Sequence, residues 1–64
     1  MRAGAKDFAG LIIEAYLEGK NELVIELHNE AREDYDFYLD CWSNIRSAGI
    51  RARLKEIING KGEP

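Results

Sequence analysis

Apolar side chains recur at helical spacing along most of this chain. In "DFAGLIIEAYLEG", residues 7–19, the side chains of Phe8, Leu11, Ile12, Ala15 and Tyr16 fall at i, i+3, i+4, i+7 and i+8, which is one face of an α-helix. Ile13 and Leu17 widen that face, and only Gly10, Glu14 and Glu18 interrupt it. A helix this apolar needs cover on more than one side. Asp7 suits the N-cap, where its carboxylate accepts orphan backbone N–H groups. Gly19 suits the left-handed position just past the C-terminus.

A second and longer pattern begins at Asn21, a good N-cap residue, with Glu22 in the first turn where the helix dipole favours an anion. Val24, Leu27, Ala31, Asp34, Tyr38, Cys41, Ile45 and Ala48 then follow an unbroken alternation of three and four, with Leu23, Tyr35, Leu39 and Trp42 beside it. No glycine or proline lies between 21 and 48, so the pattern predicts one rod over those residues, about 40 Å long at 1.5 Å per residue. "IRARLKEIING", residues 50–60, predicts a third helix with Ile50, Leu54, Ile57 and Ile58 on one face and Gly60 closing it. The expected fold class is therefore all-α: a small helical hairpin or three-helix domain, short, long and short. The first helix folds back on Val24, Leu27 and Ala31, and the third on Tyr38, Trp42 and Ile45.

A second pattern overlaps the first. Leu11, Ile13, Ala15 and Leu17 alternate with their neighbours, as do Leu23, Ile25 and Leu27, and "GKN" at 19–21 separates the two runs. That spacing also fits a β-hairpin followed by two helices. Good helix formers and the lack of threonine and other strand-favouring polar residues on the outer face favour helices.

Size limits what such a pattern can stabilise. Sixty-four residues make one domain, expected over 1–60, with a disordered tail at 61–64. So small a domain buries only about 60% of its unfolded surface and commonly relies on a disulfide, a metal or a partner chain. With one cysteine, Cys41, and one histidine, His28, there is neither an intrachain disulfide nor zinc-ligand spacing. Very good packing or oligomerisation, as a homodimer, is left to complete the core. An apolar content of 45% argues against disorder for the middle of the chain. No apolar run approaches the roughly 20 residues of a membrane span, and "FAGLII" is too short for a secretory signal. The expectation is a cytoplasmic protein without membrane contact.

Charge is unevenly distributed under a net value of −3. Residues 21–40 carry Glu22, Glu26, Glu30, Glu33, Asp34, Asp36 and Asp40 against Arg32. Residues 45–61 carry Arg46, Arg51, Arg53, Lys55 and Lys61 against Glu56. Like charges at i, i+4 cost a helix a little stability, so a solubility face does not require this acidic run. Docking to a partner with a basic surface would use it. Phe37 falls off the main apolar stripe, and an exposed aromatic ringed by acids is typical of an interface centre. The candidate partner-binding residues are Glu26, Glu30, Glu33, Asp36, Phe37 and Asp40, against the plainer reading of a solvated face with Phe37 packed inside. In the alternative, Arg46, Arg51, Arg53 and Lys55 contact the phosphates of a nucleic acid, although no aromatic residue interleaves them in sequence.

Chemistry finds little support. A di-iron helix needs Glu-x-x-His, but position 25 is Ile; a zincin needs a second histidine at i+4, but position 32 is Arg. His28 reads as a solvated or rim residue. Cys41 has no histidine within a few residues, and its neighbour Asp40 would raise a thiol pKa, so it reads as a small core residue. Glu33 and Asp34 diverge by about 100° on a helix and do not make an acid–base pair. No catalytic residue, metal ligand or cofactor is expected.

The length, the helical hairpin and "LHNEAREDY" at 27–35 resemble the small plasmid copy-number proteins, whose dimeric four-helix bundle binds paired RNA hairpins. Those proteins bind RNA through a long basic first helix, whereas the first element here is short and apolar with Lys6 near its start. The resemblance implies dimerisation alone and carries over no functional residue. The expected function is a non-enzymatic regulator or inhibitor of a larger protein, of the stand-alone kind that phages and other mobile elements encode. The alternative is a homodimeric nucleic-acid-binding regulator using the basic third helix.

Overall fold

The computed structural model describes residues 4–60. Every regular element among them is helical: α1 (Ala5–Leu17), α2 (Asn21–Ala31), α3 (Tyr35–Ser43) and α4 (Ala48–Gly60). The all-α expectation holds. The hairpin alternative does not, because residues 11–17 and 21–31 are helical, not extended. The expected tail at 61–64 lies outside the described residues.

The first turn matches the sequence pattern with small shifts. Ala5 and Lys6 are good helix formers, and they carry α1 upstream so that Gly4 is the N-cap and Asp7 sits inside the first turn. Its carboxylate thus faces the positive end of the dipole instead of capping it. At the other end Gly19 has φ +76°, the left-handed conformation that glycine adopts without steric cost. The Gly19 amide donates to the Tyr16 carbonyl at 3.0 Å and the Lys20 amide to the Ala15 carbonyl at 2.9 Å, a Schellman closure. The Lys20 carbonyl then accepts from the Val24 amide at 3.0 Å, so Lys20 is the N-cap of α2 and Asn21 is already helical. The turn is too tight to spare Asn21 as a cap.

The long rod is the expectation that fails. Residues 21–48 form two helices broken at 32–34, and the second ends at Ser43. On an unbroken helix His28 and Tyr38 would lie about 15 Å apart. In the fold, ten positions apart in sequence, their side chains hydrogen-bond at 3.3 Å. Neither glycine nor proline makes the break. Asp34 turns extended (φ −127°, ψ 105°), and its carboxylate accepts the Phe37 amide at 3.3 Å as the N-cap of α3. Acids crowd this point. In a continuous helix Glu30, Glu33 and Asp34 would repel one another. With a new helix starting at Tyr35, Asp34 and Asp36 lie at a positive dipole end. A second stop follows. The Asp40 carbonyl accepts from the Asn44 side-chain amide and the Ser43 hydroxyl, both at 2.8 Å, and the Ser47 hydroxyl accepts the Ile50 amide at 3.2 Å to start α4.

The break lets α3 return. α1 packs against both α2 and α3, and α4 packs against α2. Phe8, Ala9, Ile12 and Ala15 of α1 meet Val24 and Ala31 of α2, Cys41 of α3, Ile45 in the following loop and Leu54 of α4 in one core. Val24, Ile45 and Leu54 are its largest fully buried side chains. Arg51 ties the α3–α4 loop shut, its guanidinium donating to the Trp42 carbonyl at 3.0 Å and to the Ile45 carbonyl.

Removing the Asp34 cap should therefore loosen the junction. Asp34→Ala is expected to cost about 1 kcal/mol, read from the midpoint of urea unfolding, and Asp34→Asn to keep most of that stability. Equal midpoints for wild type and Asp34→Ala would show that packing alone makes the break.

Candidate functional site

The residues named from the sequence divide among separate surfaces. Glu26 and Glu30 are exposed on the outer face of α2, Glu33 lies in the junction, and Asp36 and Asp40 share the outer face of α3. All five are exposed, as expected. Phe37 does not join them. It is half-buried against the core, its ring edge-on to that of Phe8 with centroids 5.3 Å apart. The new start at Tyr35 swings Phe37 toward α1, which the single-rod register could not show. The aromatic residue left outside is Tyr35, at 69% exposure, with Leu39 beside it on the next turn.

Large apolar side chains are also exposed between α1 and α2. Leu11 (45% exposed), Leu23 (38%) and Leu27 line a cleft of about 310 Å³ with Ala15, and Glu14, Glu18 and Lys20 form its rim. Glu26 and Glu30 lie on the solvent side of α2, outside the lining of this cleft. The wide apolar face of the first sequence element was the signal for this surface, since α2 and α3 together leave Leu11 exposed.

The histidine is the second correction. His28 is not a rim residue; it is buried, at 6% exposure, inside a cluster with Tyr38 and Trp42. The Tyr38 ring lies edge-on at 5.3 Å between centroids and that of Trp42 at 6.5 Å. Nε2 shares a hydrogen bond with the Tyr38 hydroxyl, whereas Nδ1 is buried without a hydrogen-bond partner of normal geometry. Burial holds the imidazole below its ordinary pKa of 6.5; the neighbouring Asn29 side chain partly opposes this, and the charge of Arg32 adds to it. The cavity at the centre of the cluster, next to Cys41, measures about 10 Å³ and offers room for one water at most. Among the described residues no three His, Cys, Asp or Glu side chains converge as metal ligands.

No protein-family model, curated protein or solved structure matches this chain. The described residues form four short helices, not the helical hairpin on which the resemblance to the copy-number proteins rested.

The basic residues are likewise split. Arg51 spends its guanidinium on the loop carbonyls, and Arg53 pairs with Glu56 at 3.6 Å. Arg46 is exposed beside the α3–α4 loop. Of the four, Arg51 and Lys55 share one groove, and Lys55 also reaches a second. There it stands with Arg32, Tyr38, Trp42 and Asn59, side chains from three helices. No linear spacing brings these residues together, so sequence periodicity does not reveal the groove. No helix among the described residues is long and apolar enough to cross a membrane.

Two outcomes follow from these placements. Phe37→Ala should destabilise the fold by about 3 kcal/mol, seen as loss of cooperative thermal unfolding; an unchanged transition would return Phe37 to the surface. Because the folded state disfavours charged His28, the unfolded chain takes up that proton first. Stability should be full above pH 6.5, fall as pH drops below it, and level off under the lowered native pKa. In His28→Gln, unfolding free energy should vary less between about pH 7.5 and 5. The same slope in both proteins would assign the dependence to other groups.

Proposed function

We propose that this chain is a non-enzymatic interaction module that regulates a larger protein, docking through the leucine cleft between α1 and α2. The exposure of Leu11 and Leu23 inside an acid-rimmed cleft carries this reading. A cluster of exposed leucines on a domain this small is an uncovered apolar surface that association would bury. Its rim selects the partner's chemistry. Glu14 and Glu18, the latter paired with Lys20 at 3.0 Å, and the acidic outer face of α2 with Glu26 and Glu30 suit a basic amphipathic helix, which lays its apolar face in the groove and its lysines or arginines toward the acids.

Two copies meeting over this cleft would each bring a rim that carries Glu14 and Glu18 against Lys20 alone. The surface thus favours a basic partner over a second copy. Asp36 and Asp40 form a separate acidic face on α3, with Tyr35 exposed beside them. Steering by such a surface raises association rates and falls with ionic strength.

A synthetic amphipathic helix of leucine and lysine is a suitable probe. Its addition should shift the amide resonances of residues 11, 23, 27 and 30, and Leu11→Asp/Leu23→Asp should weaken binding by tenfold or more, about 1.4 kcal/mol, with helical content unchanged. Equal binding of an acidic peptide of the same pattern, or shifts centred away from the cleft, would refute the assignment.

A further inference from the structure

We propose that the groove where α2, α3 and α4 meet binds a nucleotide, a planar base joined to phosphate, either free or within a single strand. The groove lies about 140° around α2 from the leucine cleft, counting from Leu27 to Arg32. It measures about 370 Å³ beside Arg32 and Asn59, and a second lobe of about 280 Å³ lies beside Arg51. Tyr38, Trp42 and Lys55 line both lobes, so the two share a wall.

Charge is the first argument. The chain has 12 acidic residues and a net charge of −3, yet no aspartate or glutamate lines either lobe. Arg32 and Lys55 reach the groove from different helices, and among the described residues neither is paired with a carboxylate. Arg51 keeps its positive charge while its guanidinium serves the loop carbonyls. A positive groove on an otherwise acidic molecule concentrates anions locally against the net charge.

The walls supply the second argument. Tyr38 and Trp42 are half-buried, held edge-to-face at 6.4 Å between centroids, and they lie between the cations. Rigid aromatic faces bordered by Lys and Arg are how proteins hold unpaired bases, with stacking for the ring and ion pairs for the phosphate. Asn59 offers an amide that can both donate to and accept from a base edge. An acidic peptide would satisfy the cations but leave the aromatic walls without a planar partner.

Trp42 is the single tryptophan, so the full chain carries its own reporter. Short oligothymidylate added at low salt should quench its fluorescence saturably, and the affinity should fall as salt rises. Arg32→Gln/Lys55→Gln should bind at least tenfold more weakly and lower the salt slope by about 0.7 for each charge removed, with helical content unchanged. Arg53→Gln, on a residue outside both lobes, should bind as wild type does. Amide shift changes should centre on Tyr38, Trp42 and Lys55. Uridine monophosphate binding as tightly as the oligomer assigns a free nucleotide; tight binding by the oligomer alone assigns a strand. Absence of both quenching and shifts at the lowest salt, indifference to the double substitution, or displacement by polyglutamate at equal concentration would overturn the proposal.

Discussion

The chain reversal at residues 32–34 is held from both sides. Asp34 caps the new helix by accepting the Phe37 amide, and the returning α3 is then fastened to α1 by the Phe8–Phe37 ring contact and to α2 by the His28–Tyr38 hydrogen bond. The last of these joins residues that a straight rod would hold about 15 Å apart. Without the reversal Cys41 and Ile45 would be carried away from Val24 and Ala31, and the core would not close. A chain of this length has few large side chains to bury, so a single junction determines whether one core forms or two exposed apolar stripes remain.

The same reversal sorts the surface. Once α3 turns back, the glutamates of α2 and the aspartates of α3 occupy outer faces. Tyr38 and Trp42 move inward, where they meet α4. Arg32, at the end of α2, comes to stand across a groove from Lys55. His28 loses its solvent and its pKa falls, because burial in an apolar and aromatic surround, with the charge of Arg32 nearby, does not stabilise an imidazolium. An acidic protein thereby acquires a cationic groove and an acid-rimmed leucine cleft on different flanks of one helix.

Much of the helical character was readable along the chain. Phe8, Ile12 and Ala15 are core residues as their spacing predicted, as are Val24, Ala31, Cys41 and Ile45, and Gly19 takes the left-handed position expected of it. The stops were misread because they use side chains instead of glycine or proline. Asp34 stands three residues before Phe37 and Ser47 three before Ile50, the offset at which a carboxylate or hydroxyl reaches a free amide. Both signals were present in the sequence but were hidden by an apolar periodicity that continues through them. The register error then placed Phe37 outside and left His28 on a rim.

Helical periodicity, the cap residues and the segregation of charge are local properties, set by backbone hydrogen bonding and by neighbours three and four positions away, and the sequence alone determined them. Which side of α3 is buried, which aromatic residue remains exposed, and which cations share a groove depend on contacts ten or more positions apart. Such contacts form only when the cost of closing the chain is met by packing that all four helices provide together. Tertiary structure alone therefore decided the burial of His28, the inward turn of Phe37 and the meeting of Arg32, Trp42 and Lys55.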